Sequence, residues 1–475
     1  MKTNARQVKN LIPHFIHEQQ KAGVTHGSFE AYTMFVDMSG FTRLTETLLQ
    51  QGTAGAERLS DILNAIFEPI VSFVYGHRGF IPYFAGDSFI GIFPVEQCSC
   101  TASEVLSYAL EQFNLLDKAS VHFAEFNIGI KTGLSFGRVE WGIVGKKHKS
   151  FYFRGPAIKG CANSQTQASQ RQIIVDEAFI RRLPEAIRME SCPATGYFLV
   201  KENAPLAFPS KVVSPHLPAL LPEIVHQFLP KAVIEFNQRG EFRTTVAVFI
   251  SFEGLDDHSL LDEFSTVILD HINNFSGYFK EIDFGDKGGV LVIIFGAPVS
   301  YENNIERALE FVCAVHDDLV PLRQTTGLLY KVGIAEGIAY TGIVGGKERC
   351  QYAAVGNRVN IAARLMMHAQ WGEVLVDEAI EKNRHFRFQL KGNITYKGLK
   401  EPIPTFQLTG RNLDQHQMYE GPMVGRQLEI EKLETTALSA FDSSYASIAY
   451  IYGEPGIAKA ALRSNCPTAS EKNGA

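Results

Sequence analysis

The sequence predicts an α+β fold made of two similar domains, and an internal duplication is the main reason. The segment IKTGLSFGRVEWGIVG at 130–145 matches YKVGIAEGIAYTGIVG at 330–345, and IIVDEA at 173–178 matches VLVDEA at 374–379. Within each copy, stretches rich in β-branched and aromatic residues alternate with segments whose apolar positions recur every three or four residues. This alternation of strand and helix patterns is typical of a sheet covered by helices.

A proline-rich stretch separates the two copies. Residues 205–230 contain six prolines, a density that is incompatible with a continuous helix or with the interior of a sheet. The sequence therefore predicts five segments, which are a lead segment at 1–30, a first domain at 31–204, a linker at 205–240, a second domain at 241–411 and a C-terminal fragment at 418–475.

The C-terminal fragment resembles the start of a P-loop ATPase domain. Its sequence GEPGIAKA follows a strand-like IAYIYG, but Ala458 replaces the second glycine of the phosphate-binding loop and Ala460 replaces the Ser or Thr that would bind magnesium. About 15 residues follow this loop, too few for a nucleotide-binding domain. We expect a truncated, non-functional fragment.

Composition and charge narrow the classes of function. Hydrophobic residues make up 45% and charged residues 20% of the chain, which is ordinary for a globular protein with a packed core. With a net charge of −6 and no long Lys/Arg stripe, a nucleic-acid partner is not expected. The seven cysteines form no disulfide framework, and no window of about 18 apolar residues occurs. We therefore expect a cytoplasmic protein with reduced thiols and no membrane span.

Two aspartates at the ends of predicted strands are the first candidate functional residues. Asp37 ends the strand in FVDMSGFT, and Asp87 lies in a Gly-Asp turn between two strands in YFAGDSF. Each has an ordinary structural explanation, since aspartates often cap helices and form turns. Together they could share two Mg²⁺ ions, an arrangement that binds the attacking and leaving oxygens of a phosphoryl transfer. The backbone carbonyl of Met38 is a further expected metal ligand, and the backbone N–H groups expected to face phosphate are those of Gly40, Phe41 and Thr42.

A second pair of polar residues lies in the helix-like segment VGNRVNIAARLMM. Asn360 and Arg364 are four residues apart and therefore share one helical face. They could form a solvated stripe, but the three residues after Asn360 are apolar, which predicts a largely buried helix. An amide there could orient a ribose, and a guanidinium could neutralise charge on a transferring phosphoryl group.

These motifs resemble those of the class III nucleotidyl cyclases, and in particular the tandem-domain, soluble, bicarbonate-responsive adenylyl cyclase branch. The resemblance covers residues 31–410 and rests on FVDMSGFT, FAGD, TGIVG and VNIAAR in the correct order. It implies a ferredoxin-like βαββαβ core for each copy, with the two domains paired head to tail within one chain, which we expect to be monomeric. It also implies an adenylate cyclase that converts ATP to 3′,5′-cyclic AMP and pyrophosphate with two divalent cations, Mg²⁺ or Mn²⁺.

The family's functional residues carry over to single positions of this sequence. Asp37 and Asp87 match the two metal-binding aspartates. Asn360 matches the ribose-orienting amide, and Arg364 matches the arginine that stabilises the transition state.

Two lysines are further candidates, for contacts to the triphosphate. Lys397, in YKGLKEP, lies near the family's phosphate-contacting lysine. Lys131 lies at a strand position from which a basic residue commonly reaches the triphosphate. Both could equally be solvated surface lysines.

The resemblance predicts one complete site and one degenerate site. Where the first copy has Asp37, the second has Ser251, and the ribose-orienting and transition-state residues of the second copy are expected to correspond to Ile158 and Ala162 of the first. In this branch the degenerate pocket can bind bicarbonate through a lysine and an arginine, and here these positions are expected to be Tyr83 and Ala162. Activation by bicarbonate is therefore expected to be weak or absent.

The residues expected to read the base differ from those of adenylyl members. The family usually has a lysine and an Asp or Thr acceptor, whereas this sequence has Glu281 four residues after Gly277 and Ala353 seven residues before Asn360. Three outcomes stay open. A β-bulge could bring Lys280 into the pocket, so that ATP remains the substrate. Glu281 could instead read guanine, which makes guanylate cyclase the alternative, or the pocket could be slack and the domain pair could bind nucleotide mainly as a regulator.

Overall fold

The computed structural model describes residues 8–98, 100–185, 187, 189–201, 217–285, 288–396 and 401–412, together with residues 428, 429, 431, 432 and 435. The chain divides into two compact units, Met1–Gly410 and Arg411–Ala475. The ATPase-like loop GEPGIAKA and Lys397 both lie outside the described residues. In the part of the chain that is described, no helix has the length and apolar character needed to cross a membrane.

The first half of the chain forms one eight-stranded sheet with its helices. In chain order its elements are α1 (His14–Lys21), β1 (His26–Ser39), α2 (Phe41–Leu49), α3 (Gly52–Gly76), β2 (Phe84–Ala85), β3 (Ser88–Pro94), α4 (Val95–Cys98), α5 (Ala102–Ala119), β4 (Gly129–Val144), β5 (Ser150–Arg154), α6 (Pro156–Gln167), β6 (Ile173–Asp176), α7 (Glu177–Ile180), β7 (Met189–Ser191) and β8 (Tyr197–Val200). The strand order is β2-β3-β1-β4-β6-β8-β7, and β5 pairs with β4. Because β1 pairs antiparallel with both β3 and β4, the elements β1, α3, β2, β3, α5 and β4 form a βαββαβ unit.

The second half repeats this architecture after two short linker helices. Its elements are α8 (Pro222–Phe228), α9 (Lys231–Ile234), β9 (Glu241–Glu253), α10 (His258–Phe275), β10 (Tyr278–Asp283), β11 (Gly289–Phe295), α11 (Asn304–Asp318), α12 (Val320–Thr326), β12 (Leu329–Gly345), β13 (Cys350–Val355), α13 (Asn357–His368), β14 (Val374–Asp377), α14 (Glu378–Glu381), β15 (Phe386–Ile394) and β16 (Ile403–Arg411). The strand order β10-β11-β9-β12-β14-β16-β15, with β13 paired to β12, reproduces the first sheet. The predicted pair of α+β domains with a βαββαβ core is confirmed.

Close contact between a strand and a helix fixes the correspondence between the two copies. A Cβ on Gly133 of β4 would lie 2.2 Å from the carbonyl oxygen of Cys161 in α6, and a Cβ on Gly333 of β12 would lie 2.2 Å from the carbonyl oxygen of Ala362 in α13. Only glycine allows the helix to lie this close to the strand. The central strands of the copies are therefore 200 residues apart, and the helices that pack on them are 201 residues apart.

The two domains pack on each other reciprocally. Helix α3 of the first domain contacts β12 of the second, and its counterpart α10 contacts β4 of the first. The apolar core continues across the boundary, because Tyr340 and Val344 belong to the buried cluster of the first domain while Val144 and Tyr152 belong to that of the second. This exchange is the geometry of a head-to-tail pair, and it places the ends of one sheet opposite the helices of the other.

The lead segment and the linker pack together at the domain boundary. Ile12 forms a buried cluster with Leu220 and Val225, and the imidazole Nε2 of His17 accepts the backbone N–H of Leu221 at 2.9 Å. The guanidinium of Arg349 is fully buried between the domains and donates to backbone carbonyl groups of the lead segment and the first domain, which are those of Leu11, Ile81 and Pro82 at 2.8, 3.2 and 2.6 Å. The described part of the linker, from residue 217, therefore contributes to the core.

Candidate active site

The two aspartates predicted to bind metal lie next to each other at one edge of the first sheet. Asp37, near the end of β1, is opposite Ser88 in the antiparallel pairing with β3. Asp87 precedes Ser88 in the turn that contains Gly86, where φ is +71°. The carbonyl oxygen of Asp87 accepts the backbone N–H of Met38 at 3.2 Å. Strand pairing thus brings two carboxylates that are 50 residues apart in sequence to the same cavity.

The electrostatics of this carboxylate pair favour a bound cation. Burial and the negative charge of Asp37 raise the pKa of Asp87 to about 7. Asp37 itself accepts a hydrogen bond from Nε2 of Gln165 at 2.7 Å and lies 3.3 Å from Nζ of Lys131. Two adjacent carboxylates repel each other when both are ionised, and a divalent cation between them removes that repulsion.

The donor set fits one kind of metal better than another. Among the residues that the structure describes, no group of three or more His, Cys, Asp or Glu side chains is arranged to hold a metal ion. Mg²⁺ is commonly bound by one or two carboxylates and takes its remaining ligands from water and substrate phosphates, so two aspartates suit it. A closed zinc site needs four side-chain ligands, which this cluster does not supply.

The chain after Asp37 turns directly into a helix that borders the same cavity. Gly40 has φ +87°, and a Cβ there would lie 2.4 Å from the carbonyl oxygen of Asn127, so the turn requires glycine. The N-cap of α2 is Gly40, so Asp37 does not cap this helix. Phe41 and Thr42, the first two residues of α2, line the cavity. The unpaired N–H groups of a helix start favour phosphate oxygens.

Helix α13 of the second domain brings polar residues to the opposite side of the cavity. Asn360 lines the cavity together with Gly356 and Asn357 at the start of the helix. Arg364 lies one turn further along α13, where its Nη1 is buried and has no hydrogen-bond partner within the described ranges. Burial also lowers the pKa of Arg364. A buried guanidinium nitrogen without a partner is a site where a phosphate oxygen would be favourable.

The cavity has a volume of about 310 Å³ and is formed by residues of both domains. Such a volume lies at the lower end of the range for small-molecule pockets. The predicted site residues that line it are Asp37, Phe41, Thr42, Asp87, Glu281 and Asn360. The predicted site residues outside this lining are Met38, Gly40, Lys131, Ala353 and Arg364.

A β-bulge shapes the side of the cavity that was expected to read the base. Phe279 pairs with Ile293 and Glu281 pairs with Val292, so Lys280 is the extra residue in β10. As a result, Lys280 and Glu281 both line the cavity, although neighbours in a regular strand face opposite sides. The Nζ of Lys280 lies 2.7 Å from Oε1 of Glu281. The β-bulge at Lys280, which was one of the three outcomes left open by the sequence, is therefore present.

The position expected to supply an acceptor for the base holds a buried alanine. Ala353 in β13 packs in the core cluster of the first domain, and its neighbour Ala354 lines the cavity. Gln351 shares the face of β13 with Ala353, and its Nε2 donates to Oε2 of Glu281 at 3.2 Å. Gln351 is not among the predicted site residues, although residues two apart in a strand share a face and this alternation could have indicated it.

The counterpart of this cavity, on the other side of the domain pair, is an open groove of about 980 Å³. Ser251 lies there opposite Lys331, as Asp37 lies opposite Lys131 in the first domain. Gly289 replaces the second aspartate, since it precedes the residue that pairs with Ser251. Within the described residues, which do not include 286 and 287, neither of the positions that correspond to Asp37 and Asp87 therefore has a carboxylate.

The structure corrects the residues assigned to the other half of this groove. Because the helices of the two copies are 201 residues apart, Lys159 and Asn163 of α6 correspond to Asn360 and Arg364 of α13. Ile158 and Ala162, the residues predicted, each precede these by one position and are buried in the core. A step of one residue along a helix rotates the side-chain direction by about 100°, so this shift replaces a position that faces the pocket with one that faces the core.

Tyr83, which was predicted for the degenerate pocket, lies instead beside Lys280 and Glu281. It lines a small cavity of about 30 Å³ together with Lys280 and Glu281. Its hydroxyl donates to Oδ1 of Asp283 at 2.5 Å. Burial and the charge of Asp283 raise the pKa of Tyr83 well above its ordinary value. The phenol therefore stays protonated and bound to Asp283.

Known proteins are similar in sequence to this chain over most of its length. The family model described as the adenylate and guanylate cyclase catalytic domain matches residues 25–201 and 265–410. Adenylate cyclase type 10 of Rattus norvegicus is 26% identical over 488 residues, and that of Homo sapiens is 25% identical over 492 residues. Both alignments cover 91% of this chain and 30% of the relative, so the chain spans about 30% of the length of these relatives.

Solved structures that match part of this chain include two cyclase-related proteins. A class III adenylyl cyclase-like ATP-binding protein from Pseudomonas aeruginosa has a TM-score of 0.49 at 14% identity, over 75% of this chain and 85% of that one. The adenylyl cyclase CyaB from P. aeruginosa has a TM-score of 0.34 at 21% identity, over 37% of this chain and 99% of that one. Because the family model matches more than half of the chain, with one segment in each half, the chain belongs to the adenylate and guanylate cyclase family and carries two class III cyclase domains in tandem.

Proposed function

We propose that this chain is an adenylate cyclase, which converts ATP to 3′,5′-cyclic AMP and pyrophosphate. The observation that carries the proposal is the cavity between the domains, where Asp37 and Asp87 of the first domain meet Asn360 of the second. Each domain supplies only part of this set. The counterpart groove has Ser251 and Gly289 at the metal positions, so the proposal assigns one reaction site to each chain.

The residues of the cavity have distinct roles in the proposed reaction. Asp37 and Asp87 would hold two divalent cations, Mg²⁺ or Mn²⁺, which would supply activation of the ribose 3′-hydroxyl and neutralise the triphosphate. Asn360 holds the ribose so that its 3′-oxygen is in line with the α-phosphorus, and Arg364 neutralises the charge that develops there. The new O–P bond forms while the bond to pyrophosphate breaks, and the hydroxyl proton is released to solvent.

Adenine is the base that the polar groups of the cavity support best. The ammonium of Lys280 and the carboxylate of Glu281 lie side by side, and adenine offers an acceptor at N1 beside a donor at N6. The alternative, a guanylate cyclase, is supported by Glu281, because a carboxylate can accept hydrogen bonds from N1–H and N2–H₂ of guanine. The second alternative, a catalytically weak regulator, is supported by Ala353, because its side chain offers the base no polar group.

One assay tests the proposal against both alternatives. The purified chain is incubated with Mn²⁺ and either ATP or GTP, and the products are identified by mass spectrometry. The proposal expects cyclic AMP from ATP as the main product. Cyclic GMP as the main product would select the guanylate cyclase, and no cyclic nucleotide from either substrate would select the nucleotide-binding regulator.

We also propose that the site forms within a single chain. The contacts between α3 and β12 and between α10 and β4 that assemble the cavity are all intramolecular. Specific activity should therefore stay constant when the enzyme is diluted, since no association equilibrium precedes catalysis. A loss of specific activity on dilution, together with a dimer in light scattering, would contradict this.

A further inference from the structure

We propose that Gln165 is a positioning residue for the metal site, because its side-chain amide fixes the carboxylate of Asp37 in the orientation that binds a divalent cation. The inference rests on the proposed function, since the cation belongs to the same reaction site. Gln165 lies in α6, is 7% exposed and lines the cavity between the domains. Its Nε2 donates to Oδ2 of Asp37 at 2.7 Å, so the amide acts on the cation through Asp37.

The backbone around Gln165 determines where its side chain begins. Helix α6 packs so closely on β4 that a Cβ on Gly133 would lie 2.2 Å from the backbone nitrogen of Gln165. Only glycine allows this approach. Two residues before Gly133, Lys131 pairs with Asp37 across the antiparallel strands β4 and β1. The close contact of helix and strand thus holds Gln165 beside the strand end that carries Asp37.

The hydrogen bond from Gln165 restricts the rotation of the Asp37 carboxylate. The last side-chain torsion of an aspartate has a broad energy minimum, so packing alone does not set the angle at which the oxygens meet a cation. An amide N–H can only donate and a carboxylate can only accept, so this contact selects one orientation. Carboxylates that bind metals are commonly held by such outer hydrogen bonds, and the loss of one weakens metal binding by about 10- to 100-fold.

Lys131 contacts the same carboxylate oxygen but is a poorer partner once a cation is bound. Its Nζ lies 3.3 Å from Oδ2 of Asp37, so a charged and a neutral donor meet at one oxygen. A carboxylate oxygen has two acceptor positions, so both contacts can coexist. A divalent cation on Asp37 repels the ammonium of Lys131, whereas the amide of Gln165 has no net charge to repel. The amide is therefore the partner that remains when the cation binds.

The second domain supports the link between the amide and the carboxylate. In α13 the residue that corresponds to Gln165 is Met366, because each lies against the glycine that brings its helix close to the central strand. The strand position that corresponds to Asp37 holds Ser251, and Lys331 is retained opposite it. The lysine thus occurs with and without a carboxylate, whereas the amide occurs only with one.

The test is the variant Gln165→Met, which removes the amide and gives α6 the side chain that α13 carries at the same position. Binding of Mn²⁺ alone to the full chain is measured from the electron paramagnetic resonance signal of free Mn²⁺. We expect the dissociation constant to rise about tenfold, since the loss of an outer hydrogen bond to a metal ligand weakens binding on this scale. The free Mn²⁺ concentration at the half-maximal rate of cyclic AMP formation should rise by the same factor, and saturating Mn²⁺ should restore most of the rate.

A matched control is Gln112→Met, because Gln112 is also a buried glutamine but lies in α5 and donates to the carbonyl oxygen of Tyr108. It should leave the Mn²⁺ dissociation constant unchanged whatever it does to stability. An equal rise in both variants would overturn the inference, because it would trace the effect to a loosened fold. If Gln165→Met does not fold, Gln165→Asn, which is too short to keep the contact with Asp37, should give the same rise.

The failure of this inference can be told apart from the failure of the proposed function. An active wild-type chain whose Mn²⁺ dissociation constant is unchanged in Gln165→Met would overturn the role of Gln165 and leave the cyclase function standing. A wild-type chain that forms no cyclic nucleotide would overturn the cyclase function. In that case Mn²⁺ binding still decides, because weaker binding in the variant supports the role of Gln165, and equal binding, or none in either chain, overturns it.

Discussion

The complete cavity and its counterpart groove are built from equivalent strands and helices, yet they differ in the residues that matter for chemistry. The cavity combines the strand ends of the first domain with α13 of the second, and the groove combines the strand ends of the second with α6 of the first. The second domain has lost the carboxylate at Ser251, and the first has Lys159 and Asn163 in place of the α13 residues. Because the domains pair head to tail, both losses fall on the same pocket and leave the other complete.

A lysine that both domains retain shows how the environment changes the role of one residue type. In the first domain, Lys131 lies opposite Asp37 and 3.3 Å from its carboxylate. In the second domain, Lys331 lies opposite Ser251, donates to the carbonyl of Met367 at 3.2 Å and sits over the Trp371 ring at 4.9 Å. The lysine of the first domain therefore contacts a carboxylate of the cavity, whereas its counterpart packs on the surface of its own domain.

The largest difference in rate between the cavity and the groove is expected from substitutions at the proposed metal-binding positions. Asp37→Asn should lower the rate of cyclic AMP formation by at least about 10³-fold, because several kcal/mol of charge stabilisation depend on the bound cations. The free energy of unfolding should not fall, since the change removes the repulsion between Asp37 and Asp87. The measurements are initial rates with Mn²⁺ and urea denaturation.

The equivalent change in the groove is the control for this prediction. Ser251→Ala alters the residue at the same strand position of the second domain and should change the rate by less than about twofold. Equal losses in Asp37→Asn and Ser251→Ala would contradict the assignment of catalysis to one pocket.

A smaller effect on the rate is expected from a substitution in helix α13. Arg364→Ala should lower kcat by about 10²-fold with little change in KM, because the guanidinium acts on charge that develops only in the transition state. Asn163→Ala, at the same position of α6, should leave kcat unchanged. A rise in KM of equal size in Arg364→Ala, with kcat preserved, would show that the arginine binds the substrate in the ground state instead.

The difference between cavity and groove could be predicted from the sequence only in part. Strand patterns and preserved motif order were enough to predict the two α+β domains, and the ends of two adjacent strands were enough to bring Asp37 near Asp87. The predicted helix correspondence was wrong by one residue, since Ile158 lies 202 positions before Asn360 whereas the helices are 201 positions apart. The helix offset exceeds the strand offset of 200 because the hairpin between β12 and β13 is one residue longer than that between β4 and β5. The pairings of Tyr340 with Val355 and of Glu140 with Arg154 establish this difference.

Long-range contacts were the other part that the sequence could not supply. Gln351 and Glu281 are 70 residues apart in the second domain and meet only after its sheet has formed. The bulge at Lys280 was foreseen as one of three outcomes, since no residue type in β10 distinguishes a bulged from a regular strand. Local patterns thus predicted which strands carry the site, and tertiary packing decided which side chains face it.

The buried ion pair of the cavity should show a still smaller effect, on stability. The side chains of Lys280 and Glu281 are 3% and 6% exposed, and removing one partner of such a pair leaves a buried charge. Glu281→Gln should therefore lower the free energy of unfolding by about 3 kcal/mol. Glu177→Gln, which breaks the exposed pair with Arg181, should cost less than about 0.5 kcal/mol in the same urea titrations. Similar losses in both variants would contradict the role assigned to burial.

Bicarbonate should have the smallest effect, with no activation beyond that of a matched concentration of chloride. An anion site at the groove would need a fixed pair of cationic groups, but the hydroxyl of Tyr83 is bound to Asp283, and the neutral Asn163 stands at the arginine position. Of the described residues, the cations that line the groove are Arg154, Lys159 and Lys331. Arg154 is engaged by Glu140 and by the carbonyl of Leu255, and the two lysines attract small anions through charge alone and so do not distinguish bicarbonate from chloride. Initial rates at fixed pH and ionic strength measure this. A selective rise with bicarbonate that disappears in Lys159→Ala would mean that the groove is a specific anion site after all, because only a specific contact separates two anions of equal charge.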